Sequence, residues 1–433
     1  MSLKGKGLEV TVLGGGGEVG RLSLLVRRIG ERDAILIDAG INFDEEDKPI
    51  LANTYPPKYI KAIFLTHAHL DHTGTAPLYY VSGCPKTYAS KPTLEMSKYI
   101  LEDFLKLNGY YTPYEHLEVK KMLDEAKMIS FKEEVTISEL DITVKPFNAG
   151  HIPGSMMYLI NHNGLNVLVT GDINTIETRL MPAADVESIP RNVDALFIEA
   201  TYGSSDHPPR RLSEERLIAI IEEVVLDRGG TVLIPAFSIA RGQEVMMILA
   251  ERDLGVDVAV DGMIRQITEV FLSNPSYMNN YKLLEKAYRE FLIVRGWQDR
   301  NKVWKKPGVI IASAGMLKGG PSLYYLKKLG GNPRNAIVLV SFQAPGSPGR
   351  RLLEEGLMPD TNEPLKARLE WIDLSSHADR KGLLKFIEKV KPTEVYIVHS
   401  DIDTARDFAK QVEMLGVEKV VVTNNMETYK LSY

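Results

Sequence analysis

Short apolar runs separated by glycine-rich or polar turns dominate the first two hundred residues. Leu8–Leu13, Leu22–Arg28 and Ala34–Asp38 read as strands, and Tyr59–Thr66 reads as a strand entering His67. Helical spacing of apolar positions follows at Thr93–Leu107 and Tyr114–Glu125. Strands resume at Asp141–Pro146, Met156–Ile160, Asn166–Thr170 and Asp194–Glu199. From Ser204 the rhythm changes to alternating helix and strand: Leu212–Asp227, Thr231–Ile234, Ile239–Glu251, Val256–Val260, Ile264–Leu272, Gly308–Ala312, Ser322–Leu329 and Ala336–Ser341. That alternation predicts a parallel sheet with helices on its faces. The C-terminal stretch alternates again, through Arg368–Leu374, Asp379–Val390, Glu394–Val398, Ile402–Leu415 and Lys419–Val422. The pattern predicts an α/β chain in three stretches, 1–203, 204–366 and 367–433.

Composition narrows the class without naming the chemistry. The 433 residues are 44% hydrophobic and 25% charged, as in an ordinary globular protein. No apolar run has the length of a membrane span, and neither a signal peptide nor a membrane partner is expected. The lone Cys84 excludes an intrachain disulfide and a thiolate-rich metal site, and is expected to be a small buried hydrophobe. A cytoplasmic location follows as an expectation. The net charge of −5 hides a split: residues 204–366 hold 22 Lys+Arg against 19 Asp+Glu, whereas the remainder holds 30 against 38. A basic middle suits a phosphate-bearing substrate if metal supplies further positive charge.

The sharpest chemical signal is His67-Ala68-His69-Leu70-Asp71-His72. Residues two apart at a strand end project to one side, so His67 and His69 can grip one metal. Asp71 and His72, further on, can face a second. Imidazole nitrogen and carboxylate oxygen suit zinc at a catalytic site with an open position. Further single ligands stand at other strand ends: His151 in Ala149-Gly150-His151, Asp172 in Gly171-Asp172, and His399 after Val395-Tyr396-Ile397-Val398. Loops at strand ends carry function on a rigid sheet.

Asp38, His67-x-His69-x-Asp71-His72, His151 and Asp172 together resemble the ligand set of the metallo-β-lactamase superfamily. Glu199 in Glu-Ala-Thr-Tyr-Gly, His377 in Ser-Ser-His-Ala-Asp, and His399 resemble three further motifs of its β-CASP branch. That branch contains RNA-cleaving endonucleases of the cleavage and polyadenylation type, RNase J and DNA-processing relatives. The similarity runs nearly end to end, through residues 235–244 and 312–320. In size and motif texture the chain is similar to the short prokaryotic polyadenylation-factor-like members.

The resemblance implies an αββα sandwich of the metallo-β-lactamase type with an inserted β-CASP α/β domain. It implies two zinc ions: one on His67, His69 and His151, another on Asp71, His72 and His399, with Asp172 bridging. A hydroxide between the ions would attack an RNA phosphodiester and leave 5′-phosphate and 3′-hydroxyl ends. Asp38 would orient a ligand imidazole. His377 would protonate the leaving 3′ oxygen, with Glu199 supporting it. Ser375 and Ser376 would hydrogen-bond the scissile phosphate, and Arg350 would contact phosphate. In this branch, a histidine at the position of His399 accompanies members acting on RNA rather than DNA. The implied partner is single-stranded RNA, cut internally, because Ser376 stands where RNase J-type exonucleases carry glycine. A 5′→3′ exonuclease is the nearest alternative. A thioester or lactone hydrolase would not need the long insert, and a non-catalytic scaffold would be expected to lose ligands. A homodimer is compatible with the chain.

Other features carry less. Gly15-Gly16-Gly17-Glu18-Val19-Gly20 fits a dinucleotide fingerprint by spacing, but a fingerprint opens a helix, and Leu22–Val26 reads as a strand. A hairpin loop beside the site is expected there, and no nucleotide cofactor. Pro321 stands where relatives commonly carry a basic residue. Arg241, Lys327, Lys328 and Arg351 are weaker candidates for RNA contact, and His116, His162 and His207 read as surface residues.

Overall fold

A computed structural model describes residues 7–359 and 361–432; Met1-Ser2-Leu3 lies outside the described residues. The chain divides into two compact units. The first comprises Met1–Glu177, Ala183–Asp206 and His377–Tyr433, and the second Thr178–Pro182 and His207–Ser376.

Two seven-stranded sheets form the first unit. In one, Thr428–Leu431, Leu8–Gly14, Ser23–Arg28 and Ala34–Ile37 join antiparallel, and Ile60–Phe64, Lys86–Ala89 and Lys127–Met128 continue in parallel. The other repeats this arrangement. Val135–Ile137, Ile142–Asn148, Met156–His162 and Leu165–Val169 join antiparallel, then Ala195–Glu199, Glu394–Val398 and Lys419–Val422 in parallel.

The strands read as nearly continuous apolar runs because both faces of each sheet are covered. Val10, Val12, Leu24, Ile35 and Phe64 of the first sheet pack against Val144, Tyr158, Val167 and Phe197 of the second, forming the core between sheets. The intervening residues Leu25, Leu36 and Ile63 face the other way, onto Leu101 and Phe104 of helix Lys91–Asn108 and Met122 of helix His116–Glu125. Behind the second sheet, Leu168, Leu196 and Ile397 meet Leu383 and Phe386 of helix Arg380–Val390 and Phe408 of helix Ile402–Glu413. The layering is helix, sheet, sheet, helix, as expected.

The second unit carries a six-stranded, wholly parallel sheet in the order Leu292–Ile293, Val258–Asp261, Gly308–Ala312, Thr231–Pro235, Ala336–Leu339, Arg368–Trp371. The strand at 368–371 therefore extends this sheet by pairing with Ala336–Leu339. The amphipathic stretch 212–227 is an α-helix at Arg210–Ile221 that widens into a π-turn over Glu222–Asp227.

Two expectations fail by burial: Cys84 is exposed, in the turn before strand Lys86–Ala89, and His162 is buried rather than on the surface. No helix among the described residues is long and apolar enough to cross a membrane.

Candidate metal centre

Parallel pairing aims the C-terminal ends of neighbouring strands at one edge, and this unit loads that edge. Asp38 follows Ala34–Ile37, His67 to His72 follow Ile60–Phe64, Asp172 follows Leu165–Val169, Glu199 ends its strand, and His399 follows Glu394–Val398. His151 follows Ile142–Asn148, and His377 precedes helix Arg380–Val390. Local backbone supports the convergence. Gly171 adopts φ +54°, and a Cβ there would lie 2.8 Å from the Thr66 side chain. His399 itself is left-handed at φ 51°, an unfavourable conformation for histidine, and its N–H donates to Gly15 O at 2.6 Å. The Gly15–Gly20 segment is thus a hairpin loop between antiparallel strands, held against the site.

His67, His69, His151 and Asp172 each offer a ligand atom within 4.8 Å of the others, as do Asp71, His72 and His399. Asp172 lies among both sets: its Oδ2 is 3.5 Å from His67 Nε2, 3.4 Å from His72 Nε2 and 3.7 Å from His151 Nε2, and its Oδ1 is 3.5 Å from His399 Nδ1. His399 Nε2 is 3.3 Å from Asp71 Oδ2.

Outward hydrogen bonds decide which ring nitrogens face inward. His72 donates Nδ1–H to Asp38 Oδ2 at 2.7 Å, and that carboxylate is fixed by Thr66 N–H and Oγ1–H, each at 2.7 Å. His67 Nδ1 is 3.0 Å from Thr66 Oγ1. Both rings therefore turn Nε2 toward Asp172. Thr66 was missed from sequence; its position immediately before the histidine cluster was the available signal. His377 donates Nδ1–H to Glu199 Oε1 at 3.0 Å, with Nε2 4.0 Å from Asp172 Oδ2. Glu199 is fully buried and also accepts from the N–H groups of Ile173 and Thr201.

The electrostatics are those of clustered carboxylates drawing protons onto imidazoles. Burial pushes His67 well below the ordinary imidazole value and His69 down to about 4, leaving both as neutral donors. Burial also opposes charge on His72 and His399, yet Asp172 and its neighbouring carboxylates hold both above the usual value. His377 is half-buried; desolvation opposes its charge, yet Glu199 and Asp172 push it up to about 9. Against their own burial, Asp71 and Asp172 are held low, His72 being the largest opposing influence on each.

A metal fits this set. Buried His72 Nε2 and Asp172 Oδ1 have no hydrogen-bond partner, a costly arrangement unless something else meets them. The rings of His67 and His72 approach to 4.0 Å between centroids, and His67 Nε2 points at His69 Nδ1 from 3.0 Å. Converging lone pairs of this kind are what a divalent cation satisfies.

Three family models match the chain: the metallo-beta-lactamase superfamily over residues 16–219, the Beta-Casp domain over 243–352, and the Zn-dependent metallo-hydrolase RNA specificity domain over 362–422. A protein of Saccharolobus solfataricus named RNase aCSPSF2 is 44% identical over 96% of this chain and 84% of its own length. The chain belongs to the β-CASP branch of the metallo-β-lactamase superfamily. Probable RNase MJ4 of Methanocaldococcus jannaschii is 33% identical over 91% of this chain and 93% of its own. Transcription termination factor FttA of Pyrococcus abyssi is 34% identical over 99% of this chain and 72% of its own. A crystal structure of a protein of unknown function from Enterococcus faecalis shares the fold at TM-score 0.62 and 13% identity, over 98% of this chain. As a β-CASP protein the chain is a metal-dependent hydrolase.

Three residues expected to touch substrate belong to the second unit of this β-CASP chain. Ser375 O accepts from Arg210 Nη1 at 3.3 Å, Ser376 is partly exposed, and Arg350 is exposed, pairing with Glu354 at 2.6 Å. Two histidines that read as surface residues in the sequence have partners. His162 donates Nδ1–H to Asp141 O at 2.7 Å, and half-buried His207 pairs with Asp373 at 2.6 Å. Both sit beside acceptors distant in sequence, which the polar local context did not reveal. His116 is exposed, as expected.

Proposed function

We propose that this protein is a zinc-dependent ribonuclease that cuts single-stranded RNA internally, leaving 5′-phosphate and 3′-hydroxyl ends. The observation that carries it is His377. An imidazole tethered through Nδ1 to buried Glu199 stands with Nε2 4.0 Å from the carboxylate shared by both ligand groups. Phosphodiester hydrolysis needs such a group, because the departing 3′ oxygen must take up a proton.

His67, His69 and His151 would hold one ion and Asp71, His72 and His399 the other, with Asp172 between them. When bound, a zinc pair supplies Lewis-acid stabilisation of the phosphoryl oxygens and lowers the pKa of water. His377 Nε2–H donates to the leaving 3′ oxygen, and Glu199 stabilises the charged imidazolium before transfer and fixes its tautomer. Asp38 holds His72 with Nε2 inward. Ser375 and Ser376, immediately before His377 in the chain, are assigned to the scissile phosphate, and Arg350 to a flanking one. The relatives named as ribonucleases support RNA as substrate, as does the match to an RNA specificity domain.

A covalently closed RNA circle tests the mode, since it offers no end. Linearisation by the wild type and not by Asp71→Ala is expected. An intact circle beside complete digestion of 5′-monophosphorylated linear RNA would establish 5′→3′ trimming instead.

A further inference from the structure

The second unit carries an aromatic and basic face that the hydrolytic chemistry does not use. Helix Trp297–Val303 and the turn after it place Trp297 and Trp304 beside Tyr324 of helix Gly320–Leu329. The rings of Trp297 and Tyr324 meet edge-on at 5.1 Å between centroids. Lys328 Nζ stands 5.6 Å from the Trp304 ring and 5.8 Å from that of Tyr324, and Lys305 Nζ stands 5.5 Å from Trp304. Trp297 is 62% exposed, far more than packing alone would leave so large a ring.

Charge points the same way. Residues 295–328 contain eight Lys+Arg (Arg295, Arg300, Lys302, Lys305, Lys306, Lys318, Lys327, Lys328) against one acid, Asp299. Arg300 is paired, in a bidentate contact with Asp261 at 2.7 Å. Lys302, Lys305, Lys306 and Lys328 are exposed and make no ion pair among the described residues. Elsewhere many lysines do, as Lys389 does with Glu187 and Lys381 with Asp206.

The face is also held rigid. Asp261, 1% exposed at the end of strand Val258–Asp261, accepts Arg300 from one helix and Tyr325 Oη–H, at 2.8 Å, from the other. One buried carboxylate thus ties together the two helices that carry the rings. A preformed row of rings, Trp297 exposed and Trp304 and Tyr324 half-buried with part of each ring at the surface, flanked by lysines outside any ion pair, is the chemistry of single-stranded nucleic acid binding, where bases stack on rings and cations track phosphates. A protein-binding patch differs, since lysine is depleted from protein interfaces.

We propose that Trp297, Tyr324 and Trp304, flanked by Lys305 and Lys328, form a stacking platform that holds single-stranded RNA. The choice of RNA rests on the ribonuclease reading; the platform itself rests on ring geometry and charge. It binds substrate outside the hydrolytic centre and sets affinity for long RNA without entering the chemistry.

The test is binding of a fluorescent oligouridylate, measured by anisotropy in a His377→Ala background that limits cleavage. Trp297→Ala combined with Tyr324→Ala is expected to weaken binding roughly 5- to 100-fold, whereas Trp297→Phe, which keeps a ring, should bind nearly as the parent. Replacing Lys305 and Lys328 by Gln should flatten the slope of log K against log salt by about 1.4, near 0.7 per lost phosphate contact. In otherwise wild-type enzyme, Trp297→Ala should leave hydrolysis of bis(p-nitrophenyl) phosphate unchanged. If the alanine and glutamine variants bind as the parent does, with the same salt slope, the platform is wrong while the ribonuclease reading stands. If the parent itself neither binds the oligouridylate nor, with His377 restored, cleaves RNA, the ribonuclease reading fails and the platform with it.

Discussion

Replacing Asp38 separates the structural demand of the centre from its demand on metal. The carboxylate is fully buried, sits at φ 58°, and accepts three hydrogen bonds, from Thr66 N, Thr66 Oγ1 and His72 Nδ1, each at 2.7 Å. In Asp38→Ala the Thr66 hydroxyl can rotate to another acceptor. The Thr66 amide and the His72 imidazole N–H cannot, and each buried unmet donor costs ~1–3 kcal/mol, so ~2–6 kcal/mol of stability is at stake. Asp38→Asn behaves differently. Asparagine tolerates the left-handed conformation, and its Oδ1 still accepts from Thr66 N. Its amide NH₂ then faces His72 Nδ1, which accepts only if the proton moves to Nε2, the atom turned toward Asp172. The expected result is a nearly wild-type fold with metal affinity reduced about 10–100-fold. Competition with a chromogenic chelator measures the affinity, and thermal melts with and without chelator measure the fold. Asp38→Asn protein that holds metal as tightly as wild type would refute this account of His72.

Three more outcomes follow from the same geometry. Protein purified without chelator should contain two zinc ions per chain by elemental analysis; Asp172→Ala should lose both, and His399→Ala chiefly one. His377→Ala should keep both metals yet cleave RNA ~10²–10⁴-fold more slowly, and a substrate with sulfur at the leaving 3′ position should restore most of the rate; an equal defect on both substrates would exclude the acid role. Phe197 is fully buried and stacks on Tyr396 at 4.6 Å, so Phe197→Ala should cost ~3–5 kcal/mol in urea denaturation.

The centre was legible in sequence because its parts sit at strand ends, where a lone histidine or aspartate after an apolar run stands out. His67 to His72, Asp172 and His399 show this directly. What held them was not legible. Thr66 carries no distinguishing pattern, and its bonds to Asp38 arise only when strands Ala34–Ile37 and Ile60–Phe64 pair in parallel. The long strands and helices were legible from periodicity. Short strands such as Lys86–Ala89 and Lys127–Met128 were not, because two to four residues are too few to establish a period. His162 and Cys84 failed for a related reason: burial depends on which distant segment covers a position, as Asp141 meets His162. The aromatic row of the second unit was also out of reach, since Trp297 and Tyr324 lie on separate helices.

Parallel pairing of Ala195–Glu199 with Glu394–Val398 has a consequence for biosynthesis. These neighbours are joined through residues His207–Ser376, all of the second unit but Thr178–Pro182, in a connection that leaves the first unit after Asp206 and returns at His377. When the ribosome has delivered the histidine cluster, His151 and Asp172, one ligand group is complete, while the other waits for His399. Closing a loop of this length in a disordered chain carries an entropic cost that grows with the logarithm of its length, and an insert already folded presents a far shorter effective loop. The order of events that costs least is therefore insert first and strand Glu394–Val398 second, with the last imidazole arriving as that strand locks. On the proposed two-ion reading, metal loading would then act as a checkpoint: a chain whose insert has failed to fold would present the first ligand group without His399 in place, and would stay catalytically silent.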